Sequence, residues 1–168
     1  VGIAASGVTP FVTAGLLEAA KQGAGTILIT CNPRAASSAH IRIALAVGPE
    51  VLTGSTRLKA GTATKLVLNM LTLGAMVQLG KTYGNLMVDV RPTSRKLRAR
   101  ATQLIQRVSR CSEREAADLL TAARGRVTCA ILMAAQDISY AAARRRLART
   151  GGSLRCALAS RATGRRTA

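Results

Sequence analysis

The sequence is poor in aromatic residues and in acids. It has no Trp, two Tyr and one Phe, so Phe11, Tyr83 and Tyr140 are its whole aromatic complement. A surface that binds single-stranded nucleic acid by stacking bases needs more aromatic faces than that. The lone histidine, His40, cannot build a His-rich metal site. The four cysteines, Cys31, Cys111, Cys129 and Cys156, include no C-x-x-C pair. That spacing argues against a structural zinc site and a disulfide framework, and makes reduced thiols in a cytoplasmic protein the expectation. No unbroken apolar run reaches the ~20 residues of a membrane span, so no membrane partner is expected. The nearest approach, 66–79, is interrupted by Asn69, Thr72 and Gln78 and reads as a buried helix. No charged segment followed by an apolar one marks a secretory signal.

What the chain does have is apolar content and positive charge. Hydrophobic residues make up 48% of its 168 residues, which suits a folded core and excludes a disordered or collagen-like chain. Lys and Arg number 25 against 7 acids, a net charge of +18. The excess is uneven. Residues 1–90 hold seven basic and three acidic side chains, and residues 91–168 hold eighteen and four, with Lys96 the only Lys among the eighteen. Arg144, Arg145, Arg146 and Arg149 crowd one predicted helix. Without a reading motif or stacking residues these arginines read as a solvated face. No specific nucleic-acid partner is expected, only salt-sensitive adhesion.

The order of elements predicts an α/β fold. Val1-Gly2-Ile3-Ala4-Ala5 reads as a strand and Ser6 to Thr9 as a turn. Pro10 opens a helix at a position where its missing N–H costs nothing. The apolar spacing Phe11, Ala14, Leu17 carries that helix to about Gln22, where Gly23 and Gly25 stop it. Thr26 to Cys31 and Ile41 to Val47 read as further strands. Strand, helix and strand joined by tight turns make a βαβ unit, so the sheet should be parallel. A glycine-bearing loop, 48–61, leads into a long helix over 62–79, and 80–90 is a connector. Beyond Arg91-Pro92 the composition shifts to Arg and Ala, and three helices are expected. One is capped by the Ser112-x-x-Glu115 box and stops at Gly125, one spans 127–135, and one starts at Ser139 and ends at Gly151-Gly152. The expected organisation is therefore part of a parallel-sheet domain over 1–92 and a small three-helix domain with a basic tail over 93–168. A strand that begins at Val1, with no initiator Met, suggests the C-terminal portion of something longer.

Two segments carry ligand chemistry. Ser6-Gly7-Val8-Thr9-Pro10 joins a strand to a helix at the carboxyl edge of the sheet, where ligands bind in open α/β folds. Free N–H groups and the positive helix end attract an anion there, with Ser6 and Thr9 as hydroxyl donors and Gly7 allowing close approach. A capped helix after a tight turn has the same spacing. The second segment, 48–63, gathers Glu50, Ser55, Arg57 and Lys59 in a loop that feeds a helix. Cations for phosphate and a carboxylate for sugar hydroxyls suit a polyhydroxylated anion, and an ordinary capped surface loop has that make-up too. Glu18, Glu113, Glu115, Asp118 and Asp137 read as solvated helix positions, Asp89 as a structural acceptor and Cys31 as core. His40 has no visible partner.

The 48–63 segment resembles the signature of the family shared by N-acetylmuramic acid 6-phosphate etherases and the glucokinase regulatory protein. Val1 to Pro10 resembles the second phosphate loop of the etherases. Thr30-Cys31-Asn32-Pro33, Lys65 to Leu71, Gly84 to Val90 and Gly151-Gly152 agree as well, so the resemblance runs to about Arg155. It implies a sugar isomerase (SIS) type parallel sheet flanked by helices and followed by a small helical bundle. It implies cleavage of the lactyl ether of N-acetylmuramic acid 6-phosphate to N-acetylglucosamine 6-phosphate and D-lactate, in cell-wall sugar recycling. Ser6, Gly7 and Thr9 would hold phosphate, and Glu50, Ser55, Arg57 and Lys59 would contact the sugar phosphate or a partner across a homodimer. No metal or organic cofactor is implied. The family's catalytic glutamates lie upstream of the segment matching Val1, so no catalytic residue is assigned here and the chain alone is expected to be inactive. The alternative is a phosphosugar-binding regulator without turnover, although the Lys65–Leu71 and Gly84–Val90 matches favour the etherases. Two departures stand out. Val8 occupies a position where etherases carry Arg, and Thr64 one where Gln or Ser precedes the Lys.

Overall fold

In the computed structural model, which describes residues 1–160, the first seventy residues form a parallel βαβ arrangement. Strand β1 (Gly2–Ile3) leads into helix α1 (Pro10–Lys21), then β2 (Ile27–Thr30) and β3 (Ile41–Ala44). The sheet order is β1-β2-β3 and both pairings are parallel, with Gly2 opposite Leu28 and Ile27 opposite Ile41. The strands are shorter than the apolar runs suggested, but the ladder outlasts them. The Ala4 N–H donates to the Ile29 carbonyl and the Leu45 N–H to the Thr30 carbonyl. Helix α2 (Lys59–Gln78) follows. The chain divides into two units, Val1–Thr72 and Leu73–Ala168, where the sequence suggested a change near residue 92.

The first unit has a small core, in which Ala4, Leu16 and Leu28 are buried with Val12 and Ala39 against them. The apolar spacing that carries α1 does not mark its buried side: Phe11, Ala14 and Leu17 are all exposed, Phe11 to 86%. The helix is turned by its contact with β1. Gly2 has no side chain, and a Cβ there would lie 2.7 Å from Val12 Cγ1 and 2.8 Å from Leu16 Cδ1, so Val12 and Leu16 occupy that space. Helix α2, expected to be buried, buries only Ala60 and Val67. Leu66, Met70, Leu73 and Val77 are all exposed, Met70 to 63%. By length and composition, with a mean hydropathy of 1.2, α2 is the one helix among the described residues that could cross a membrane. Lys65 and Asn69 sit in its middle.

The second unit adds an antiparallel hairpin, β4 (Thr82–Tyr83) with β5 (Leu86–Met87), inside what read as a connector. Its turn is Gly84-Asn85, and Gly84 takes the left-handed φ of 58° that glycine adopts freely. Among the described residues five helices follow where three were expected: α3 (Arg95–Ser109), α4 (Glu113–Ala122), α5 (Val127–Gln136), α6 (Tyr140–Arg149) and α7 (Leu154–Ala159). Ser94, Ser112, Ser139 and Ser153 each accept a backbone N–H at a helix start, and Ser112 with Glu115 completes the capping box read from the sequence. Helix α5 is the centre. Val127, Cys129, Ala130, Ile131 and Leu132 are buried nearly all round it, which is why its sequence lacks a polar face. The basic tail inferred from sequence lies almost wholly outside the described residues.

Candidate functional site

The site begins at the carboxyl edge of the sheet in the first unit. The Ser6–Thr9 turn leaves β1, and Gly7 sits at its bend with φ 76°. A Cβ on Gly7 would lie 2.2 Å from the Ala35 Cβ and 2.9 Å from Thr30 Oγ1, so no side chain fits. The Gly7 N–H donates to the Ala4 carbonyl at 2.9 Å, and the Val8 N–H reaches Ser6 Oγ at 3.4 Å. Thr9 is the N-cap of α1 with Pro10 behind it, yet its side chain makes no capping hydrogen bond. Among the described residues, the N–H groups of Thr9 and Phe11 have no hydrogen-bond partner. The turn therefore offers two amides and two hydroxyls at the positive end of a 12-residue helix.

Thr30, in a predicted strand, and Asn32, just beyond it, hold this turn. Thr30, buried at the end of β2, donates its hydroxyl to the Ala5 carbonyl at 3.2 Å and accepts the Asn32 N–H at 3.1 Å. Asn32 Nδ2 donates to the Ser6 carbonyl at 3.0 Å, and its Oδ1 accepts the Arg34 N–H at 3.0 Å. Thr30 and Asn32 thus position the turn without offering it a charge. An Asn-Pro pair marks a chain reversal locally, and nothing in its spacing shows a bond 26 residues back along the chain.

The second segment is tied to the same edge. The Cys31 N–H donates to the Ala5 carbonyl at 3.0 Å, and its thiol reaches the Ala60 carbonyl at 3.9 Å. Ala60 lies in the first turn of α2. Glu50 caps that turn, Oε2 accepting the Lys59 N–H at 3.0 Å and Oε1 the Ala60 N–H at 2.9 Å. The Ala60 and Lys59 amides, with the Lys59 charge, hold the Glu50 carboxyl below the ordinary carboxylate range. Both oxygens face the helix end, so Glu50 is ionised and engaged in building α2. Arg57 and Lys59 line a cavity of about 580 Å³ with Leu58, Thr62 and Leu66. Ser55 is half-buried nearby, its N–H donating to the Leu52 carbonyl. The structure thus brings Ser6, Gly7 and Thr9 into one turn, and Glu50 onto Lys59.

His40, to which the sequence gave no role, closes the opposite edge of the sheet. Its Nδ1 accepts the Thr26 N–H at 3.1 Å and meets Thr26 Oγ1 at 2.8 Å, while its own N–H donates to Thr26 Oγ1 at 3.1 Å. No group of His, Cys, Asp and Glu among the described residues has the arrangement of a metal site.

No family model matches the chain. Individual relatives do. It is 51% identical over 160 residues to N-acetylmuramic acid 6-phosphate etherase 2 of Vibrio cholerae, covering 94% of this chain and 52% of the relative. It is 51% identical over 154 residues to N-acetylmuramic acid 6-phosphate etherase of Oenococcus oeni, covering 90% of this chain and 52% of the relative. The corresponding protein of Mesorhizobium japonicum is 48% identical over 159 residues, 94% of this chain and 52% of the relative. The chain spans about half the length of the curated relatives it matches and corresponds to a C-terminal portion of them. Over that portion it is similar to N-acetylmuramic acid 6-phosphate etherases at about 50% identity.

Proposed function

We propose that this chain is the phosphosugar-binding portion of an N-acetylmuramic acid 6-phosphate etherase of SIS type, and that Ser6, Gly7 and Thr9 hold the substrate phosphate. The observation that carries the reading is about 50% identity to etherases across about 94% of the chain. The geometry supports it, because the turn has unspent amides and hydroxyls at a helix start, the chemistry a phosphate monoester needs. In the proposed reaction a base removes the proton beside the open-chain sugar carbonyl. An acid protonates the departing lactate oxygen, and water adds to the unsaturated sugar. Two carboxyl groups with different protonation states suit such chemistry. Glu50 is committed to α2, so we assign the acid and base to the half of the family's length this chain does not span. Arg57 and Lys59 are proposed contacts of the sugar phosphate, and Ser55 an adjoining one. The exposed apolar side of α2, with Lys65 and Asn69 beside Leu66 and Met70, is assigned to contact with protein, including a second copy of the chain. The four free cysteines suit a reducing cytoplasm.

The test is D-lactate release from N-acetylmuramic acid 6-phosphate by this chain and by a version extended upstream with a relative's N-terminal half. Lactate from the extended chain alone supports the reading. Turnover by this chain alone overturns the placement of the acid and base and makes Glu50 the first residue to mutate. Lactate from neither removes the etherase reading.

A further inference from the structure

The second unit holds a cavity of about 710 Å³ that the phosphosugar reading does not use, and we infer that it binds a small phosphorylated anion. Four arginines line it: Arg91 from the segment after β5, Arg98 from α3, and Arg124 and Arg126 from the turn between α4 and α5. Asp89 is the one acid in the lining, and it is already paired with Lys81. Among the described residues none of the four arginines forms an ion pair; the pairs present are Lys21 with Glu18 and Lys81 with Asp89. Four arginines line one opening, and their like charges repel, a repulsion that water screens only in part. A bound anion would relieve it.

The cavity has the chemistry of a phosphate monoester site in other respects. Thr93 and Thr128 add hydroxyls to its wall. Each guanidinium presents planar paired N–H donors that match two phosphate oxygens, a fit a lysine cluster lacks. The volume falls in the ordinary range of small-ligand pockets. Arg124 is held by a neighbouring ring, its guanidinium 5.3 Å from the centre of Tyr140. Gly125 packs close to Pro92, which a Cβ there would approach to 3.4 Å, so the arginine-bearing turn rests on the segment that carries Arg91.

The experiment is an amide-shift titration of the whole chain with inorganic phosphate, repeated with Arg98→Ala, Arg126→Ala and, as a control of equal charge, Arg155→Ala on α7. The proposal expects saturable shifts at Arg91, Arg98 and Arg124 to Thr128. It expects affinity there to fall about tenfold in each cavity variant, the loss of one charge-assisted contact, and to stay within about twofold in Arg155→Ala. Shifts at Ser6 to Thr9 should be the same in all four proteins, which separates this cavity from the proposed substrate turn. Thermal melts check that each variant is folded; should either cavity variant be unfolded, the matching Arg→Lys change is used, with an intermediate loss expected. An absence of saturable shifts in the cavity overturns the proposal, and so does equal weakening by Arg155→Ala, which would mean diffuse charge only. Displacement of phosphate by a twelve-nucleotide DNA strand at a thousandfold lower concentration would also overturn it, in favour of a nucleic-acid surface.

Discussion

Glu50 accepts the backbone N–H of Ala60 at 2.9 Å with one oxygen and that of Lys59 at 3.0 Å with the other. A residue that reads from sequence as a ligand for sugar hydroxyls is thus the cap of the longest helix. Because its carboxyl is held below the ordinary value of 4.5 by those two amides, the ionised cap favours the folded state above that pH. The contribution is lost as pH falls through the lowered folded-state value. The protection of the Lys59 and Ala60 amides, measured against their intrinsic exchange rates, should fall on acidification below about pH 4.5. Glu50→Ala should show the lowered protection at neutral pH, and Glu50→Gln an intermediate one. Equal exchange in wild type and Glu50→Ala at pH 7 would refute the capping role.

Gly7 is the least replaceable residue of the turn. A methyl there meets the Ala35 Cβ at 2.2 Å and must adopt φ 76°. Left-handed backbone costs a non-glycine residue roughly 1–2 kcal/mol before any clash is counted. Gly7→Ala should therefore lower stability by more than about 2 kcal/mol and abolish binding of N-acetylglucosamine 6-phosphate. Denaturant melts and calorimetric titration measure both. An unchanged midpoint would show that the turn relaxes freely.

Val8 is exposed in the same turn, at a position where the family resemblance implies Arg. Val8→Arg should restore a cation beside the amides and raise affinity for N-acetylglucosamine 6-phosphate by about tenfold at low salt, with the gain shrinking as salt is added. A variant with unchanged affinity would place the phosphate elsewhere.

His40 and Thr26 close the β2–β3 edge through three contacts. Thr26 is buried at 3% exposure, so removing the ring leaves its N–H without an acceptor. His40→Ala should cost about 1–3 kcal/mol, and His40→Asn, which can still accept, less. Equal stability of His40→Ala and wild type in urea melts would mean that water replaces the ring.

The readings that held depend on local chemistry. The Ser112–Glu115 box, the Ser139 cap and Pro10 act within a few residues, and 127–135 is an apolar run, so α1, α4, α5 and α6 are legible where they stand. The βαβ order followed from short apolar strands and glycine turns. The hairpin at Gly84-Asn85 carried a turn signal that reading the stretch as a connector passed over. Faces were harder. Which side of α1 is buried depends on the missing side chain of Gly2, a contact across the fold that no helical period contains. The apolar composition of α2 implied a covered helix, but burial needs a covering element, and these residues supply one only at Ala60 and Val67.

The sequence by itself determined the first βαβ unit with its parallel order, most of the helices, the charge asymmetry and the similarity to etherases. Each rests on composition, short-range bonding or identity along the chain. Only the tertiary structure decided that Glu50 caps α2, that Thr30 and Asn32 hold the phosphate-type turn, and that arginines from two separate stretches line one cavity. Those facts come from chain segments meeting in space, where hydrogen bonds and repulsion act over a few ångströms regardless of separation along the chain.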